Sequence, residues 1–312
     1  MTSARRIDTH QHIVPPFYAD WLSSAGVSAG GLPIPHWDPD SALALMHDNG
    51  IESAVLSVST PGVEPGDKDE ARAMARALNE FCASLRDRLP ARFGYFATLT
   101  LPDVEGAVRE ACHALDELGA DGVVLLANNK GVYLGDSAFD PLMAELNRRS
   151  AVVFVHPSAL PAEPVPGLPA YAADFLLDTT RAAVNLARSG SLDRYPDLKI
   201  ILSHAGGFLP YAAERLAGHC APDGTAAEGI ARLRRFYFDT ALSSSPYALP
   251  SLLAFADPTH ITYGSDWPYA PAARSAHFTG LLDGFPLSED LRRAVERGNA
   301  ETLFPRLARS GG

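Results

Sequence analysis

The sequence predicts a (β/α)8 barrel, and three observations predict it. Eight short runs rich in β-branched or aromatic residues recur along the chain, at 6–12, 53–59, 92–98, 122–127, 151–156, 199–204, 236–239 and 261–264. Stretches with helical spacing fill the gaps between most of them. The most apolar runs, VVLLA within 122–127, VVFV within 151–156 and IIL within 199–204, are almost continuously hydrophobic. That pattern means burial on both faces, as in parallel strands covered by helices. At 312 residues the chain suits one barrel domain spanning 1–312 with room for insertions, since such barrels usually take ~250 residues.

Each element has a local reason. After the first run, the Pro/Gly-rich stretch 23–39 reads as a loop, and 39–49 as a helix that opens on Pro39 and stops at Gly50. Residues 67–87 (DKDEARAMARALNEFCASLRD) put Ala and Leu on one helical face and charges on the other. Residues 102–118 open on Pro102-Asp103 and close at Gly119, again a helix with its stop signal. Helical spacing returns at 137–149, 171–189, 209–218, 247–255 and 288–297, while 158–169 is a second Pro/Gly-rich loop. The competing architecture, an open doubly wound sheet, would place a Gly-rich phosphate loop after the first strand, and none is there.

Composition narrows the function. With 46% hydrophobic and 20% charged residues the chain is globular rather than disordered. Lys+Arg 26 against Asp+Glu 37 gives a formal charge of −11, which repels phosphate backbones and anionic lipid, so neither nucleic acid nor a membrane is expected as a partner. Cys82, Cys112 and Cys220 form no CxxC pair, which argues for a reducing compartment. No leader-like apolar stretch and no run of the ~18–20 apolar residues needed for a span is visible, so a cytoplasmic enzyme is expected.

In a barrel of this kind chemistry gathers where the strands end. The first run ends in Asp8-Thr9-His10-Gln11-His12, and His10 and His12, two apart on a strand, point to one face. Asp8 shares their parity and is expected to orient a ligand from behind. The fifth run ends in His156, and the eighth leads into Gly264-Ser265-Asp266-Trp267-Pro268. Taken singly, His156 reads equally as a hydrogen-bonded core histidine and Asp266 as a turn residue. Together, His10, His12, His156 and Asp266 offer three imidazoles and a carboxylate, a set that suits Zn²⁺ best and also admits Mn²⁺, Fe²⁺ or Co²⁺. His204 ends the sixth run before Ala205-Gly206-Gly207 and is the candidate for acid/base work, with a further ligand role as the competing reading.

These residues carry a family resemblance. Asp8-x-His10-x-His12, Phe154-Val155-His156-Pro157, His204-Ala205-Gly206-Gly207-x-x-Pro210 and Gly264-Ser265-Asp266-Trp267-Pro268 resemble the amidohydrolase superfamily, in the branch of aminocarboxymuconate-semialdehyde and γ-resorcylate decarboxylases. The resemblance runs from Ile7 to about Phe304 and implies one divalent metal, Zn²⁺ or Mn²⁺, on His10, His12, His156 and Asp266, with His204 catalytic beside it. It also implies a homodimer or higher homo-oligomer in which Arg215, eleven residues after His204, reaches the neighbouring subunit's substrate. No arginine precedes Trp37-Asp38-Pro39, which argues against a dicarboxylate. Gly131-Val132-Tyr133-Leu134-Gly135-Asp136 and Asp174-Phe175-Leu176-x-Asp178-Thr179-Thr180-Arg181 are more similar to the 6-methylsalicylate decarboxylase group.

The expectation is therefore a non-oxidative decarboxylase of a small aromatic ortho-hydroxy acid. Its catalytic residues are His204 and Asp266; the proton comes either from Asp266 or by way of His204 and a metal-bound water. Arg215, Trp37 and Asp239 are read as substrate-binding, with Phe17, Trp21 and Trp267 as further candidate walls for a flat ring. The alternative on the same scaffold is a metal-dependent lactone or amide hydrolase. Lys130 and Lys199 match no position that would bridge two metals, which favours one ion.

Overall fold

The computed structural model describes residues 5–221 and 224–308. Eight strands form one parallel sheet in sequence order: β1 (Arg6–His12), β2 (Ile51–Ser57), β3 (Phe93–Thr98), β4 (Gly122–Leu126), β5 (Val152–His156), β6 (Lys199–Leu202), β7 (Tyr237–Asp239) and β8 (Ile261–Thr262). The sheet curls until its last strand meets its first. Asp8 bridges Tyr263 in the parallel sense, and the Thr9 amide donates to the Tyr263 carbonyl at 2.9 Å. This is the expected (β/α)8 barrel.

Inside it, Ile7, Val55, Phe96, Val124, Phe154 and Ile201 pack together, and Leu303, Phe304 and Leu307 plug the lower end. Phe96 and Phe154 stack with centroids 5.3 Å apart. A larger apolar layer fills the space between strands and helices. Truncating a ring such as Phe154 to alanine would cost about 3–5 kcal/mol.

Where sequence reading and structure differ, the differences are physical. β2 starts two residues early, at Ile51, because the chain turns straight out of the Gly50 stop, whose carbonyl accepts from the Arg6 amide. Strand β1 is not evenly pleated: its register with β2 slips between Asp8 and Gln11. Ile7 therefore lies in the interior core, yet His10 and His12, of opposite parity, reach the interior too. The helices Pro16–Ser24, Ala226–Leu233 and Ala272–Gly284 went unmarked in the periodicity. AARSAHFTGLLDG in the last of these scatters its apolar residues around the axis, so no stripe stands out. Among the described residues, no helix is long and apolar enough to cross a membrane.

Candidate metal centre and cavity

At the carboxyl ends of the strands, directly above Phe154, the side chains of His10, His156, His204 and Asp266 each bring one ligand atom within 4.8 Å of the others, all of them buried. His12 borders the same point. Its Nε2 lies 3.0 Å from His10 Nε2 and 3.2 Å from Asp266 Oδ1, and His10 Nε2 is also 3.2 Å from that oxygen. A tetrahedral ion with bonds of ~2.1 Å would hold its ligand atoms about 3.4 Å apart, so these three atoms are spaced like ligands around one ion.

The outer nitrogens explain why the inner ones converge. His10 Nδ1 donates to Asp239 Oδ2 at 2.8 Å, His12 Nδ1 to Ser57 Oγ at 2.9 Å, and His156 Nδ1 to the Pro157 carbonyl at 2.9 Å. With each Nδ1 proton so placed, Nε2 is the inward ligand atom of each ring; His12 and His156 present a lone pair there, and His10 would once a cation displaces its second proton. The donor set fits a divalent cation.

Charge balances accordingly. Burial pulls His10 down, but the Asp239 and Asp266 carboxylates outweigh it and push its pKa up to about 10. Burial lowers His12, and it lowers His156 further with help from the neighbouring imidazoles. Burial also opposes ionisation of Asp266, yet the surrounding histidines, His10 foremost, hold its carboxyl well below the usual range. Asp8 is raised by burial; its carboxylate accepts from the His10 and Ser265 amides at 3.0 and 3.1 Å and from Gln11 Nε2 at 3.1 Å. It braces the slipped stretch of β1 and ties it to the β8 loop.

His204 differs from the other three histidines. Its Nδ1 is buried with no partner, while Nε2 lies 3.4 Å from Asp266 Oδ2. His204, Ala205 and Asp266 adopt left-handed backbone, with φ of 53°, 56° and 60°. Such residues cost of order 1–3 kcal/mol each and persist where the surroundings enforce them. Here the His204 amide donates to Asp239 Oδ1 at 3.0 Å, and the Asp266 amide to the His10 carbonyl at 2.8 Å. Gly207 follows, also left-handed; a Cβ there would sit 2.0 Å from the Leu176 carbonyl oxygen.

Above the cluster opens a cavity of about 820 Å³, floored by His156, His204 and Asp266. Its aromatic walls are Tyr171, Phe175, Phe208, Tyr211, Tyr247 and Tyr269. These are not the rings expected from sequence. Trp37 is buried at 1% exposure against Phe81, 6.0 Å between centroids, in the outer apolar layer. Neither it nor Phe17, Trp21 or Trp267 lines the cavity. Asp239 is not in the lining either: it is fully buried behind His10, and both its oxygens are taken by His10 and by the amides of His204 and Ala241. Arg215 is exposed on the helix Leu209–Cys220, one turn beyond Tyr211 and outside the lining. Sequence reading missed Ser57 and Tyr269. The Tyr269 hydroxyl is buried without a partner in the cavity wall, where burial raises its pKa, and its ring lies 5.5 Å from that of His12. Its position three residues past Asp266 was the available signal.

The fold and this centre define a class, and comparison with known proteins names it. The amidohydrolase family model Amidohydro_2 matches residues 7–306, and the chain belongs to that family. Among its relatives, the 6-methylsalicylic acid decarboxylase of Penicillium expansum is 41% identical over 318 residues, covering 97% of this chain and 97% of that protein. The crystal structure of an amidohydrolase II superposes with a TM-score of 0.91 at 33% identity, over 96% of this chain and 99% of the other. A dihydroxybenzoic acid decarboxylase from Polaromonas sp. JS666, solved with bound manganese and the inhibitor 2-nitroresorcinol, gives a TM-score of 0.82 at 25% identity over 98% of both chains.

Proposed function

We propose that the chain is a metal-dependent carboxy-lyase that decarboxylates a small aromatic ortho-hydroxy acid of the 6-methylsalicylate type without an oxidant. The observation that carries it is the set of three imidazoles with their Nδ1 protons tied outward, clustered with Asp266, under a cavity walled by aromatic rings. Similarity to 6-methylsalicylic acid decarboxylase over 97% of the chain supports the substrate class.

His10, His12, His156 and Asp266 would hold one divalent ion, Zn²⁺ or Mn²⁺, and that ion supplies a fixed positive charge for the acid's phenolic and carboxylate oxygens. The protein's own groups do the rest. The Tyr269 hydroxyl is free to donate to a ligand oxygen. The ring faces around the cavity hold a flat acid in one plane and exclude water. Asp266 is kept ionised by its histidine neighbours, which leaves His204 Nε2 as the atom that moves the proton to the ring carbon bearing the carboxylate. The carbon–carbon bond then breaks, its electron pair restores the aromatic ring, and CO₂ leaves; one proton is consumed per CO₂. In this reading the chain forms a homo-oligomer, and Arg215, exposed outside the lining, serves the cavity of a neighbouring copy.

Metal-replete protein incubated with 6-methylsalicylate should release CO₂ and 3-methylphenol in equal amounts. No release across a panel of ortho-hydroxybenzoates, with hydrolysis of an aryl lactone by the same preparation, would move the assignment to a hydrolase.

A further inference from the structure

The proposed reaction leaves one charged residue of the cavity unused. Arg274, in the first turn of the helix Ala272–Gly284, lines the same cavity as His204 and Asp266 and is the one lysine or arginine that does so among the described residues. No carboxylate neutralises it: the first turn of its helix holds no acidic residue, and no ion pair to it occurs among the described residues. Arg72, Arg76, Arg149, Arg297 and Arg306 are held by acids; other arginines such as Arg188, Arg215 and Arg234 share Arg274's lack of an ion pair among the described residues, but none of them lines the cavity. The neighbour of Arg274 is instead a ring, with the guanidinium carbon 5.7 Å from the Phe278 centroid. Two further rings of the cavity, Tyr211 and Tyr247, are 87% and 90% exposed and so belong to its outer part.

We propose that the outer cavity is a capture site for aromatic carboxylates, in which Arg274 pairs with the carboxylate and Tyr211 and Tyr247 offer faces to the ring before the acid descends to the metal centre; this rests on the decarboxylase reading. An acid approaching a chain of charge −11 is repelled at long range, and one unpaired cation at the mouth offsets that locally. Arg274 is exposed whereas His156, His204 and Asp266 are buried, and pairing at the exposed end suits the chemistry. A guanidinium held on the carboxylate during cleavage would stabilise a charge that vanishes as CO₂ forms, and so slow the step. Arg274 therefore acts on capture and specificity, with its effect on KM rather than kcat.

The test compares wild type, Arg274→Gln and Arg274→Lys in the metal-loaded full chain. Binding of salicylate and of neutral phenol is read by isothermal titration calorimetry, at low salt and at about 0.5 M, where the Debye length falls to a few ångströms. In parallel, kcat and KM are measured on 6-methylsalicylate. The inference expects Arg274→Gln to weaken salicylate on the order of fivefold at low salt, with little loss at high salt. Phenol binding should not change, Arg274→Lys should restore most of the loss, and the change in turnover should fall on KM. Equal weakening of salicylate and phenol, no weakening of either, failure of wild type to bind salicylate, or a loss confined to kcat would each overturn it. If salicylate binding depends on Arg274 but no acid loses CO₂, the decarboxylase reading falls and the capture site stands. If CO₂ is released and Arg274→Gln matches wild type, the reverse holds.

Discussion

Replacing Asp239 with asparagine keeps the shape of a fully buried side chain while changing one oxygen to an amino group. In the native arrangement Oδ1 accepts from the His204 and Ala241 amides at 3.0 and 2.9 Å, and Oδ2 accepts from His10 Nδ1 at 2.8 Å. An asparagine must keep its oxygen toward the two amides, since turning it around would leave two buried N–H donors unsatisfied at about 1–3 kcal/mol each. Its amino group then faces His10 Nδ1, which must become an acceptor, so the neutral ring keeps its one proton on Nε2, pointing at the place a metal would take. Removing an outer partner of this sort costs about 10–100-fold in metal affinity, equivalent to about 1.4–2.7 kcal/mol. The assay is competition for Zn²⁺ and Mn²⁺ against a fluorescent chelator, with circular dichroism to confirm the fold. Metal affinity within twofold of wild type in folded Asp239→Asn would refute the tautomer argument and free Asp239 for another role.

Three further outcomes follow from the geometry. His204→Gln should retain a full equivalent of metal while losing turnover by at least about 100-fold, as general acid–base residues do; loss of the metal by elemental analysis would instead make His204 a ligand, as its place in the cluster allows. Burial raises Glu64, whose Oε1 has no partner, to about 7 from an ordinary 4.5 against the opposing pull of Lys130. The folded protein therefore binds more protons than the unfolded chain between those values, and stability falls as pH rises through that window. With partial exposure discounted, Glu64→Gln should gain about 1–2 kcal/mol at pH 8 and nothing near pH 4; equal melting shifts at both pH values would contradict this. Mixing Arg215→Ala chains with His204→Gln chains should recover part of the activity if Arg215 serves a neighbour's cavity, and verified mixed oligomers without recovery would confine it to a surface role.

Much of this was legible in the sequence because strand ends carry the chemistry in this architecture. His10, His12, His156, His204 and Asp266 could be placed before any coordinates, since each closes or follows a short apolar run. What resisted was set by contacts distant in sequence. Even pleating puts His10 and His12 on one face, but it also turns Ile7 outward; only the slip in register between Asp8 and Gln11 brings all three inside. Trp37, beside a proline and aspartate in a loop, has the composition of a cavity wall, yet Phe81 on the helix Lys68–Arg88 draws it into the outer layer. Asp239 ends its strand like a substrate-facing residue, and only the left-handed turn at His204 brings an amide back to claim its oxygen.

The closure of the barrel has a consequence for how the protein is made. Asp8 and Thr9 join Tyr263, and His10 shares a ligand cluster with Asp266, 256 positions later in the chain. At the usual ~5–20 residues per second of synthesis, the first strand waits roughly ten to fifty seconds on the ribosome for the strand that completes its pairing. Throughout that interval His10 and His12 are without the carboxylate of Asp266. The cluster can therefore form only once nearly the whole chain has been made.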